Sequence, residues 1–197
     1  MIMNVTIAAL KEWAIVCKAL EEGRQVLLLR KGGIMEYRQG FEVKHNNFLL
    51  FPTFEHQSEE SIQSDYAYNL GTVLRNAPPN GKNKVTSYAM VADVNEINDK
   101  TVLHKLEKYH IWNDRYLNVR MNYNSKKPMS VVLLRVYRMN TPLEVDVQPQ
   151  WSGCKSWISI EFFQNELQQN TLVNTARPVL DDSKFNSIAC EIREVLT

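Results

Sequence analysis

The chain has 197 residues and a mass of 22.9 kDa, with 44% hydrophobic and 23% charged positions, enough to bury one good core of an ordinary globular protein. A formal net charge of +1 and a pI near 7.7 exclude a generally polyanion-binding protein of histone type, so the location of charge matters more than its sum. Residues 82–138 hold 11 Lys or Arg against 5 Asp or Glu, a balance of +6, and residues 139–197 hold 4 against 8, a balance of −4; solvated faces that attract one another and a phosphate-facing patch both account for the split.

In chain order, Met1 to Thr6 carry no basic region, and Lys11 and Glu12 cut the apolar run that follows, so neither an export signal nor a membrane segment is expected. From Ile7, apolar residues recur at Leu10, Trp13, Cys17 and Leu20, a spacing that predicts a helix with one buried stripe, ended by Gly23. Gln25 to Arg30 reads as a strand too apolar for an exposed sheet face, with Gly32-Gly33 supplying a turn. Arg24, Arg30, Lys31, Arg38 and Lys44 fence this strand and suggest a basic rim. Phe41 to Val43 and Phe48 to Phe51 predict a hairpin across His45-Asn46-Asn47, closed by Pro52.

Ser58 to Leu74 returns to helix, because Ile62, Tyr66 and Leu70 share a face and Glu59-Glu60 suit a helix N-terminus. Arg75 to Lys84, with Pro78-Pro79-Asn80-Gly81, is the clearest loop. A strand over Val85 to Val94 follows, then a short helix over Thr101 to His110 with Asp99 as its cap. Strands are expected at Tyr116 to Tyr123 and Val131 to Met139, an interrupted stretch at Thr141 to Gln150, a strand at Trp157 to Phe162, and a closing helix over Ser183 to Leu196 that buries Phe185, Ile188, Ile192 and Leu196. No internal repeat is visible.

Strands mixed with helices, without regular alternation, point to an α+β fold. Lys31-Gly32-Gly33-Ile34 has neither the GxGxxG spacing of a dinucleotide site nor a P-loop ending. Cys17, Cys154 and Cys190 are odd in number and never form a CxxC pair, which indicates neither a disulfide framework nor a zinc knuckle and suits a reducing cytoplasm. The histidines His45, His56, His104 and His110 show no HExxH pairing; His56, after Phe54-Glu55, reads as a pocket lining or as an ordinary loop histidine. Glu42-Val43-Lys44 matches the ExK half of a nuclease metal site, without an aspartate before it. Trp151-Ser152-Gly153-Cys154-Lys155-Ser156-Trp157 can stack on a planar ligand while a cation meets its phosphate, or it can anchor a core with both indoles. Trp112 with Arg115-Tyr116, and Arg135 with Tyr137, repeat a mixture of aromatics and guanidinium groups that suits nucleic acid.

Ala9-Leu10-Lys11-Glu12-Trp13-Ala14, Leu28-Leu29-Arg30-Lys31-Gly32-Gly33-Ile34, Phe51-Pro52-Thr53, Glu55-His56-Gln57 and Gly153-Cys154-Lys155-Ser156-Trp157 are short strings that are jointly specific. Over nearly the whole chain they resemble the bacterial family catalogued as domain of unknown function 1802. That resemblance implies no set activity; the family's association with Mrr-type restriction endonuclease domains implies a restriction-modification role, and an Mrr-like catalytic domain is not evident here. The helix ending at Gly23 and the strand carrying Arg30 are more loosely similar to the opening of ASCH domains of the PUA-like class, whose pattern is G-x-K-x-x-E-x-R. Gln25 and Leu28 replace its lysine and acid.

The expected architecture is therefore one α+β domain over residues 1–197, built on a mixed, mainly antiparallel sheet or a partly closed β-barrel of PUA-like kind, flanked by N- and C-terminal helices, with 75–84 as an exposed loop. The expected function is cytoplasmic, non-catalytic recognition of nucleic acid, DNA above RNA, as an accessory of a restriction or defence system. No cofactor, metal or membrane is called for, and a restriction endonuclease subunit is the implied protein partner. Arg24, Arg30, Lys31, Lys44 and Lys155 are the expected phosphate contacts, His56 a pocket residue, and Trp151 and Trp157 the stacking surfaces. No catalytic residue is assigned. Two alternatives stand beside this: a metal-dependent phosphodiesterase using Glu42 and Lys44, and a structural protein-interaction subunit.

Overall fold

Among the described residues, seven strands hydrogen-bond into one sheet. In this computed structural model, which describes residues 4–32, 40–163 and 176–197, the strands are β1 (Asn4–Trp13), β2 (Leu27–Arg30), β3 (Asn47–Thr53), β4 (Lys82–Ile97), β5 (Met129–Asp146), β6 (Trp157–Phe163) and the two-residue β7 (Arg177–Pro178). The helices are α1 (Ala14–Glu21), α2 (Ser64–Ala67), α3 (Asn69–Arg75), α4 (Lys100–Lys105), α5 (Asp114–Asn122) and α6 (Asp182–Leu196). The order along the sheet is β2-β5-β4-β3-β1-β6, with β7 on β5; β1 and β3 run parallel and every other described pairing is antiparallel. Among the described residues no ladder joins β2 to β6, so of the two expected architectures the open mixed sheet is the one formed, rather than a closed barrel.

Side chains alternate across the strands, so one sheet serves two cores. Leu10, Leu50 and Leu28 face the side covered by α1, α5 and α6, while Ala9, Leu49 and Phe51 face the other, where Val85, Trp151 and Ile160 join them. The helix expected from Ile7 onward is a strand as far as Trp13 and a helix only from Ala14. Leu10 and Trp13 belong to β1 and Cys17 and Leu20 to α1, so the three-or-four spacing straddles two elements; β1 lies between β3 and β6 and buries both faces. The end of α1 is as expected: Gly23 takes φ 68°, and Arg24 N donates to Ala19 O at 3.0 Å.

The hairpin over Phe41 to Val43 does not form. β3 is flanked by β1 on one edge and β4 on the other, which leaves no edge for residues 41–43. Gly33 and Arg38, from the expected turn and rim, lie outside the described residues. Ser58 to Leu74 is broken into a 3-10 turn at Glu59–Ser61 followed by α2 and α3. The strand expected at Tyr116 to Tyr123 is instead α5: Asn113 caps it by accepting from Tyr116 N at 3.1 Å, and Asp114 occupies the first turn. The stretch Thr141 to Gln150 continues β5 to Asp146, with Pro142 set beside the register shift between Val85 and Ser87 where ladder bonds are interrupted. Among the described residues no helix is long and apolar enough to cross a membrane.

Candidate functional site

Where the parallel strands β1 and β3 end together, Trp13 opposite Thr53, the chain leaves the sheet in two directions and a concavity opens. Its volume is about 510 Å³. The walls come from the ends of β1 and β2, the turn after β3, one face of α5 and the turn of residues 153–156.

The floor is aromatic. Trp112 and Tyr116 stack with ring centroids 3.7 Å apart and planes 7° apart, and Trp13 meets them edge-on at 5.1 and 6.4 Å. Trp112 is buried behind, leaving Tyr116 and Trp13 toward the opening. Burial pushes the Tyr116 phenol up to about 12, so it stays a neutral hydrogen-bonding group at physiological pH.

Around this floor stand Lys11, Arg30, Arg115, Arg120 and Lys155, with His56 at the turn and Glu12 and Glu55 as the acids. They are not equivalent. Arg30 Nη1 pairs with Glu12 Oε2 at 2.9 Å and its Nη2 donates to Ser156 Oγ at 2.8 Å; the two side chains are 18% and 6% exposed. The other Glu12 oxygen accepts from Trp13 N at 2.8 Å. Arg30 is thus a clamp that ties β2 to β1 and to the 153–156 turn. Lys11 Nζ donates to Trp151 O and Gly153 O, both at 2.8 Å, and holds that turn from below. Desolvation lowers the Lys11 pKa, against the pull of Glu55.

Arg120 Nη2 donates to Gly32 O at 3.1 Å, while its Nε is shielded from solvent and makes no hydrogen bond among the described residues. Arg115 pairs with Glu60 at 2.7 Å in the open, and Lys155 Nζ reaches Gln150 O at 3.1 Å. His56 is exposed and holds φ 59°, the left-handed region that non-glycine residues seldom adopt. The arrangement can therefore hold a planar ring on its floor and an anion at its rim.

Of the eight residues singled out in the sequence, Arg30, His56 and Lys155 line this concavity. Trp157 starts β6 directly after the turn, half-buried among Phe41, His45 and Phe48, with its Nε1 donating to Glu42 O at 2.9 Å. Lys44 is exposed on the non-strand segment 40–46. Arg24 sits beyond α1 and is held by Gln63 and Asp65.

Lys31 and Trp151 also lie off the concavity's lining. Lys31 is 2% exposed and donates to Met121 O at 2.7 Å at the end of α5, so its ammonium serves the packing of a helix terminus. Trp151 is 8% exposed and meets Phe51 edge-on at 5.6 Å within the second core, because η-type turn Pro149–Trp151 folds the indole inward. Glu42-Val43-Lys44 is not on a strand, and among the described residues no three His, Cys, Asp or Glu side chains are grouped to hold a metal.

The residues missed as site members are Lys11, Trp13, Arg115, Tyr116 and Arg120. The Trp112-to-Tyr116 mixture carried a visible signal; Lys11 and Arg120 carried none, because only the sheet ends and α5 bring them to the same concavity.

A family model described as a domain of unknown function, DUF1802, matches residues 9–191. No curated protein matches the chain. Among solved structures it is similar to the crystal structure of ASCH from Zymomonas mobilis, at 11% identity over 86% of this chain and 96% of that one, with a TM-score of 0.48. A tyrosine-to-phenylalanine mutant of that protein is similar at 10% identity over 84% and 96%, TM-score 0.47. A serine-to-alanine mutant is similar at 12% identity over 86% and 95%, TM-score 0.45.

Proposed function

Since the chain belongs to the DUF1802 family, whose description assigns no activity, function has to come from the concavity, and we propose that it is a non-catalytic nucleic-acid recognition protein whose partner is DNA. The observation that carries this reading is the pairing of an aromatic floor with a cationic rim in one opening of about 510 Å³. A base has a π-face that meets Tyr116 and Trp13, and its phosphate meets the rim. Lys155, Arg115 and Arg120 are the proposed anion contacts, while Arg30 and Lys11 hold the wall that presents them. Arg24 and Lys44 lie off this opening. The choice of DNA, and of a restriction endonuclease in a defence system as the protein partner, rests on the family's association with Mrr-type domains alone; the pocket chemistry serves DNA and RNA equally.

The test is a titration of single-stranded and duplex DNA and RNA at two salt concentrations, for wild type and for the Lys155→Ala/Arg115→Ala double variant. Binding is expected to weaken with salt, and the variant to flatten the logarithmic salt slope by about 0.7–0.9 for each phosphate contact removed. Absence of binding throughout, or affinity indifferent to salt and to both substitutions, overturns the reading. Mg²⁺-dependent cleavage abolished by Glu42→Ala would replace it with the phosphodiesterase.

A further inference from the structure

Resting on that reading, we propose that a second stacking station adjoins the pocket: His45, Trp157 and Phe41 receive the base next to the one the pocket holds. The ligand is then a single-stranded segment at least two nucleotides long. Ser156 immediately precedes Trp157, the first residue of β6. Ser156 lines the pocket and accepts from Arg30, while Trp157 is not among the pocket's lining residues and packs with Phe41, His45 and Phe48.

Arg30 joins the two places. Its guanidinium carbon lies 5.1 Å from the Phe41 ring centroid, and Phe41 stacks on Trp157 at 6.2 Å with planes 16° apart. His45 is exposed and meets Trp157 edge-on at 5.2 Å. Lys44, exposed beside it, forms no ion pair among the described residues, so a cation is available where the strand's phosphate would pass. The half-buried indole is fixed from behind by Phe48 and by its own bond to Glu42 O, which keeps the ledge in place without a ligand. A duplex cannot use two stations of this kind, because its bases are already stacked and paired.

The experiment measures affinity for thymidine 5′-monophosphate and its di- and tetranucleotide, for the uridine counterparts, and for a duplex of matched sequence. Wild type is compared with Lys44→Ala/His45→Ala, two exposed positions outside the pocket whose replacement leaves the core intact. Wild type should bind the dinucleotide about tenfold more tightly than the mononucleotide, the worth of one base stack. The double variant should lose that gain and keep mononucleotide affinity. Equal affinity for one and two nucleotides, a length gain that survives the double substitution, or preference for the duplex overturns the second station and leaves the pocket standing. Failure of every nucleotide to bind overturns both.

Discussion

Arg30 is one of the phosphate contacts expected from the sequence, and its side chain is engaged by Glu12 and Ser156. Its charge is already matched by Glu12, in a pair that is largely withdrawn from water. Removing one partner of such a pair leaves the other buried and uncompensated, so Arg30→Ala should lower the unfolding free energy by about 3–5 kcal/mol. Arg30→Leu combined with Glu12→Leu should recover most of that. Urea unfolding of the three proteins checks this, and a double variant as unstable as the single one would deny the coupling. It follows that loss of binding in Arg30→Ala would report a collapsed wall, which is why the exposed Lys155 and Arg115 are better probes. His110 gives a pH signature. It is fully buried, with Nδ1 accepting from Trp112 N at 3.2 Å, and burial lowers its pKa from 6.5 to about 4. The unfolded chain takes up a proton on this imidazole below pH 6.5 while the folded chain does not. Stability from this group is therefore complete above about 6.5 and is lost as pH falls toward 4, by roughly 3 kcal/mol in all. Denaturant titrations between pH 7 and pH 5 should show the onset of the loss, and His110→Gln should remove that part of the slope; an unchanged slope would show that other groups produce it.

At the level of elements, the α1 terminus depends on Gly23. A Cβ built there would lie 2.7 Å from Leu180 Cδ2, and φ is 68°. Gly23→Ala should therefore cost about 1–2 kcal/mol from the left-handed backbone alone, with the contact to the segment before α6 adding to it. Calorimetry or denaturant unfolding reads this directly, and an unaltered midpoint would contradict the geometry. Gly23 also shows what kind of feature is legible in a sequence: local signals such as a glycine after an apolar stripe, or the Asp99 cap of α4, which accepts from Thr101 N at 2.8 Å. The strands β4, β6 and the core of β5 were legible too, from β-branched and aromatic runs. What could not be read was set by neighbours. β1 is a strand because β3 and β6 supply both its edges, and its helix-like spacing is accidental. α5 was hidden because Tyr116, Val119 and Met121 also suit a strand, although the Asn113-Asp114 start was a usable clue. The candidate site followed the same rule. Arg30, His56 and Lys155 were picked out by their local strings, whereas Lys11 and Arg120 are separated by more than half the chain and meet only through the sheet.

Across the whole molecule, the opposite charges of the middle and the tail are partly spent on one another. Lys108 pairs with Glu191 at 2.6 Å, and Arg135 pairs with Asp182, each joining the basic stretch to α6. Arg115 and Arg120 belong to the same basic stretch but turn toward the concavity, so the segment's surplus positive charge is divided between holding the last helix and lining the opening. The attraction expected between the two stretches is thus realised where the basic one meets α6. The sheet order adds a temporal constraint. β1 lies near one end of the sheet between β3 and β6, and β6 begins at Trp157. A ribosome therefore releases the first strand long before one of its two neighbours exists, and contacts so distant along the chain are slow to form. Lys11, Glu12 and Trp13 wait on that arrival, together with the turn that Lys11 and Arg30 secure. A nascent or truncated chain that stops before the sixth strand consequently lacks the concavity, whose walls come together late in synthesis, when β6 pairs with β1.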